Sequence, residues 1–263
     1  MGFLLHWPLW ASALWVYGLF VAAALAVATL ICGWVRRHPA REAAVGGLVP
    51  PVGAAMTAGF LVWLALLANV ELRDIDDAER AVSAEAAGLR TLGLLGSAAA
   101  PASSAGWHAQ LADYAQHTLT REWPRMSDGG GDADTQARLD RLRTEAITRF
   151  ADEPPELRAA LRQAVQSVAD ARQSRLVVAA GHIPSIIWHA LVICAGVVLV
   201  FAALVHGRQP RSARWIGTLL AMMIAVQVHA VYVIDRPFVG VVAVSDAPLR
   251  EALQQLQRAA VRP

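Results

Sequence analysis

Residues 48–79 read LVPPVGAAMTAGFLVWLALLANVELRDIDDAE. No formal charge appears before Val70, and from Glu71 onward every helical turn carries one. An apolar helix of roughly 20 residues crosses the hydrocarbon core of a bilayer, so Leu48 to Val70 is expected to span a membrane and then continue as a solvated helix. Three further runs have the same character, about Leu9 to Val35, Ile183 to Val205 and Trp215 to Ile234. The expected fold class is an all-α integral membrane protein, with four transmembrane helices and a helical domain inserted between spans two and three. Residues 1–70 would hold the first two spans, 71–181 the extramembrane domain, 182–236 the last two spans, and 237–263 a turn and an amphipathic helix.

Composition points the same way. Only 17% of residues are charged, against about 25% in soluble domains. The 23 basic residues, all arginine, nearly balance 21 carboxylates, which argues against a nucleic-acid binder. Cys32 and Cys194 both lie in apolar runs, excluding a disulfide framework and a cysteine-based zinc site. The first apolar run has no basic residue before it and is longer than a signal-peptide core of about 7–15 residues, so it is read as a retained span.

Arg36, Arg37 and Arg41 follow the first span, and Arg208, Arg211 and Arg214 follow the third, against the single carboxylate Glu42. Short arginine-rich loops stay in the cytoplasm, which places residues 71–181 on the extracytoplasmic side. That segment carries 13 arginines and 17 carboxylates. Its apolar residues recur at helical spacing, as in Leu139, Leu142 and Ile147, then Leu157, Leu161, Val165 and Val168. Breaks are expected at 97–106, 127–132 and 152–155. The helix of the second span should run on through Leu95, and a helix from Pro155 should enter the third span, kinked at Pro184. Leu249, Leu253, Leu256 and Ala260 form the apolar stripe of a final helix, expected to pack on the helical domain or lie at the membrane surface.

Polar groups inside spans are functional suspects. His189, Gln227 and His229 fall in the outer half of the third and fourth spans, near Asn69, Glu71 and His182. They would line a vestibule or ion path, or join helices by hydrogen bonds worth about 0.6 kcal/mol each. No third ligand accompanies the two histidines, so no metal is expected. Phe60 and Trp63 are candidate constriction residues in the second span. Gly18, Ala22 and Ala26 at four-residue intervals in the first span, and Gly46, Gly47, Gly53, Ala54, Thr57, Ala58, Gly59, Ala65 and Ala68 in and before the second, are expected to pack within the protomer. Nucleophile-elbow, zincin, Walker A and dinucleotide motifs are absent from the sequence. Glu122 and Asp113 read as isolated carboxylates, so neither enzyme activity nor a cofactor is expected.

Several strings share one pattern: Asp77-Ala78-Glu79, Ala84-Glu85-Ala86, Tyr114, Glu122-Trp123-Pro124-Arg125-Met126, Arg172, Arg175-Leu176, Pro184 with Trp188, and Asp235-Arg236-Pro237-Phe238-Val239-Gly240. In this order they resemble the bestrophin-like DUF4239 family of bacterial and plant membrane proteins, over roughly residues 45–257. The resemblance implies four spans with a helical insert, a bacterial inner-membrane location and a homo-oligomer in the lipid bilayer. It extends distantly to bestrophins, pentameric channels for small anions with a pore lined largely by the second span. Bestrophins hold the insert in the cytoplasm, opposite to the arginine bias here. The acidic calcium-binding run of bestrophins is replaced by Val241-Val242-Ala243. The Asp235 to Gly240 string is read as a structural turn, since Pro237 ends a helix and Phe238 can anchor at an interface. The leading expectation is an oligomeric anion channel or transporter; the alternative is a non-conducting scaffold or stress sensor that binds a partner through residues 71–181. A membrane enzyme using the outer histidines is a weaker third reading.

Overall fold

The computed structural model describes residues 9–40, 46–104, 106–181, 183–235, 237–238 and 243–261, and all secondary structure among them is helical. The long helices are α1 (Leu9–Arg37), α2 (Val49–Ala98), α3 (Trp107–His117), α4 (Ala133–Thr148), α5 (Pro155–Ala180), α6 (Ser185–Val205), α7 (Pro210–Ile234) and α8 (Ala247–Val261). Four of these, α1, α2, α6 and α7, are long and apolar enough to cross a membrane. The chain divides into two units. The first comprises Met1–Leu72 and Ile183–Asp235, and the second Arg73–His182 and Arg236–Pro263. His182, Arg236 and Gly240, named in the sequence analysis, lie outside the described residues.

In the first unit, α1 packs on α7 and α6. Ser12, near the start of α1, meets His229 near the end of α7, while Ala28 and Cys32 near its end cluster with Ala213 at the start of α7. The two helices are therefore antiparallel. The core consists mainly of small and branched residues, including Ala24, Leu64, Leu191, Ala195, Ile224 and Val228. Small residues permit the close approach by which apolar helices associate without a hydrophobic driving force.

The small-residue stripes expected to pack inside the protomer do not all do so. Gly53 is buried against Phe201, whose Cβ lies 3.2 Å from where a glycine Cβ would stand. Gly18, Ala22 and Ala26 are exposed, as are Ala54, Ala58 and Gly59, and a methyl group on Gly18 or Gly59 would meet nothing. The buried stripe of α1 is instead Ala24, Ala28 and Cys32. It shares the four-residue spacing but is rotated around the helix, a phase that spacing alone cannot assign.

The expected continuous helix from Pro155 into the third span is broken. α5 stops at Ala180, where the Gly181 N–H reaches back to the carbonyls of Val177 and Val178 and the backbone turns extended. Pro184 disfavours helical geometry in the residue before it, so α6 begins afresh at Ser185 with Pro184 as its N-cap. The Asp235 carboxylate accepts the Ile183 N–H at 2.7 Å, satisfying a donor that the break would strand.

The second unit has its own core, which α8 completes by burying Leu249, Ala252, Leu253 and Leu256. Trp107 is fully buried at its centre, donating Nε1–H to the Leu92 carbonyl at 3.0 Å and meeting Phe150 edge-on at 5.2 Å. The indole fits because position 96 carries no side chain, and a methyl group there would overlap the ring. Gly88 plays the same part beside Val168, 2.6 Å from the position a Cβ would take. Gly96→Ala is accordingly expected to destabilise the protein by about 1–3 kcal/mol, in the range for overpacked cores. A lowered melting temperature with altered tryptophan emission would show it, and unchanged melting would refute the close packing.

Candidate functional site

The second unit buries two arginines and two glutamates together. Glu85 on α2, Glu122 and Arg175 are all inaccessible to solvent, and Arg172 nearly so. Helical spacing sets this up: Arg172 and Arg175, three residues apart, share one face of α5. Glu122 arrives by a different route. Pro124 has no N–H to continue the α-helical ladder, and the chain after α3 widens into a π turn over Thr118–Glu122, with the Trp123 N–H bonded to the Thr118 carbonyl. Glu122 follows Leu111, Ala115 and Thr118 at helical spacing and is buried with them.

Arg175 occupies the centre. Its Nε donates to Glu85 Oε2 at 2.7 Å, Nη2 to Glu85 Oε1 at 3.2 Å and to Glu122 Oε1 at 2.7 Å, and Nη1 to the Met126 sulphur at 2.7 Å. The Tyr114 hydroxyl donates to Glu85 Oε1 at 2.6 Å. Trp123 lies over the guanidinium at 5.9 Å and meets Phe238 edge-on at 5.5 Å. Arg172 holds the other side of Glu122, with Nε 3.1 Å from Oε1, and also bonds Gln136. The Asp132 N–H donates to Glu122 Oε2 at 3.1 Å. Asp132 in turn caps α4, accepting the Thr135 N–H at 2.9 Å, and pairs with Arg125.

Glu122 is not the isolated surface carboxylate expected, and Asp113 is paired too, with Arg138 at 2.7 Å. Burial pushes the Glu122 pKa up. The hydrogen bond from Arg172 and the charges of Arg175 and Arg172 outweigh it and leave the carboxyl below its ordinary value. For Tyr114, burial and the neighbouring Glu85 carboxylate raise the phenol pKa well above its usual value, keeping it a neutral donor. A network with its donors and acceptors matched holds four segments in register and presents no unfilled ligand position.

The remaining motif residues are placed as follows. Glu79 is exposed, and so is Pro124, whose carbonyl accepts the Ser127 hydroxyl at 2.7 Å. Pro237 closes a turn by accepting the Val244 N–H at 2.7 Å, and Phe238 is buried in the second unit. Pro184 is exposed, and the Trp188 ring meets Tyr232 at 6.1 Å. In the first unit Phe60 is buried in the core, and Trp63 packs partly against it with ring centroids 6.5 Å apart. His229 is buried between α1 and α7, 3.2 Å from the Ser12 hydroxyl and 3.5 Å from that of Tyr17, and stacks on Tyr232. His189 is exposed, with Nδ1 2.6 Å from the Ser185 carbonyl, and Gln227 is half-buried. No hydrogen bond joins His189 to His229 among the described residues. No group of three His, Cys, Asp or Glu among them is placed to hold a metal. Sequence reasoning missed Ser12 and Tyr17, which carry no motif, and the Asp132 cap, although an acidic residue three before Thr135 at a helix start is a recognisable signal.

Removing one member of a buried ion pair strands its partner, at about 3–5 kcal/mol. Arg175→Met is therefore expected to destabilise the second unit by that order. The lowered Glu122 pKa adds a sign: the pair's contribution is complete above the ordinary carboxyl value of 4.5 and is lost as pH falls through the folded value. Thermal melts from neutral to acid pH should show wild-type stability falling in that window and a flatter acid limb in Arg175→Met. Equal neutral-pH stability of the two proteins would refute the network's role.

Comparison with known proteins connects these residues to a family. A family model, the Bestrophin-like domain, matches residues 18–249. Three crystal structures of a bacterial bestrophin homologue from Klebsiella pneumoniae are similar, with TM-scores of 0.71, 0.68 and 0.65 at 9%, 12% and 11% identity. They cover 94%, 95% and 92% of this chain and 99%, 97% and 96% of theirs. At such identities the likeness shows the fold alone. No curated protein matches the chain. The family-model match spans most of the chain and takes in the buried Glu85, Glu122 and Arg175, and by it this protein belongs to the Bestrophin-like domain family.

Proposed function

We propose that this protein is a non-enzymatic, homo-oligomeric conductor of small anions in the bacterial inner membrane. The observation that carries the reading is the Bestrophin-like domain match, which takes in all of the second span. Two features of the first unit support it. The candidate spans α1 and α2 bury little of their surface within the protomer. Their exposed faces carry the small residues Gly18, Ala22, Ala26, Ala54, Ala58 and Gly59, which suit close contact between copies better than contact with lipid alone.

In this reading the path follows the first half of α2. Trp63, only partly buried, borders it, and Phe60 behind Trp63 holds the indole in place. The arginines that end α1 and begin α7 raise the local anion concentration at the cytoplasmic mouth. His229 then serves as an interhelical joint through Ser12 and Tyr17, while the half-buried Gln227 and exposed His189 are left to a wetted layer. Anion efflux from proteoliposomes is expected to exceed that of empty liposomes and to change on Trp63→Ala. Absence of efflux for several anions, from folded and reconstituted protein, would favour the scaffold that recruits a partner through residues 71–181.

The arginine-rich short loops carry the topology, with the second unit extracytoplasmic. Asp128→Cys, in an exposed turn of that unit, should react with a membrane-impermeant maleimide in intact spheroplasts. Labelling only after lysis would reverse the orientation.

A further inference from the structure

A groove of about 830 Å³ opens in the second unit between the end of α2, the connector before α3 and the last turns of α8; Ser97, Ser104, His108, Gln255 and Arg258 line it. A second hollow of about 400 Å³ continues along α2, adding Arg90 and Thr91 and sharing Ser97, His108, Gln255 and Ala259 with the first. Arg90 and Arg258 make no ion pair or hydrogen bond among the described residues. The segment 71–181 holds 17 carboxylates, yet no Asp or Glu lines either hollow. Among the described residues, a half-buried Arg90 and an exposed Arg258, each without an acidic partner, thus face two adjoining hollows that no carboxylate lines.

We propose that this groove binds a small phosphate-bearing metabolite. Guanidinium groups present paired N–H donors that match phosphoryl oxygens, and each of the two adjoining hollows has one, Arg258 in the larger and Arg90 in the smaller. The Gln255 amide adds a neutral donor, while the Ser97, Ser104 and Thr91 hydroxyls donate to the Gly93, Pro101 and Ala87 carbonyls. His108 is fixed in place, its Nε2 3.0 Å from the Gly93 carbonyl and 3.1 Å from the Ser97 hydroxyl. The first turn of α3 opens on the same groove without a side-chain cap from Gly106, which adds partial positive charge. The volume exceeds what a single ion needs and falls in the range of metabolite sites, about 300–1,000 Å³. Exposed Leu94 and the alanines at 87 and 259 provide an apolar wall, so the ligand carries an organic part as well as its phosphate.

Isothermal titration calorimetry on the full chain in detergent tests this, with pyrophosphate, glucose 6-phosphate and succinate as probes. The phosphate probes are expected to bind saturably and succinate more weakly. Arg90→Gln and Arg258→Gln should each weaken phosphate binding about tenfold or more, the loss of one charge-assisted contact. Arg162→Gln, exposed on α5 and outside the groove, should leave it unchanged. Both tested arginines are unpaired among the described residues, so the variants are expected to melt with the wild type, and the readout does not depend on conduction. Three results would each overturn the proposal: no saturable binding of either phosphate probe, binding indifferent to both groove substitutions, or an equal loss in Arg162→Gln.

Discussion

A guanidinium with no access to water must find acceptors for its hydrogen atoms inside the protein. Arg175 meets that demand with Glu85, Glu122 and the Met126 sulphur. Because these partners come from α2, a π turn and the segment that follows it, the arginine ties together elements far apart in sequence. Well-packed apolar residues in place of a whole buried ion set are often neutral for stability. Its consequence is register, because one guanidinium fixes α2, α5 and the π turn against one another, with Trp123 over the guanidinium and against Phe238.

The first unit follows a different rule. With hydrocarbon on the outside, apolar burial no longer drives helices together, and packing depends on close approach and a few hydrogen bonds. Ala24, Ala28 and Cys32 supply the approach, and the contacts of His229 with Ser12 and Tyr17 supply polar links between α1 and α7. Asp235 adds a backbone clasp where the proline break exposes an N–H. The His229 and Asp235 contacts satisfy polar groups that the membrane could not.

The periodic apolar runs made the four candidate spans legible, to within a few residues at each end. Proline and glycine marked most of the breaks, yet Pro184 was expected to bend a helix that in fact stops. Two helix-breaking signals, Gly181 and Pro184, act together there, and a proline's effect depends on whether a neighbour can hold the freed N–H. Motif strings pointed to Glu85, Glu122, Trp123 and Arg175 without revealing that they meet. Glu122 reads as an isolated carboxylate because its partners Arg172 and Arg175 lie 50 and 53 positions further along the chain.

The sequence alone determined the helical class, the apolar spans, the polar insert and the family pattern, since these follow from composition and periods of a few residues. The tertiary structure decided which small-residue stripe is buried, which arginines are matched with carboxylates and which are left facing a groove. Those outcomes depend on rotation about helix axes and on contacts between segments such as Glu85 and Arg175, 90 positions apart. A one-dimensional pattern carries the period of a helix but not its phase against a distant neighbour.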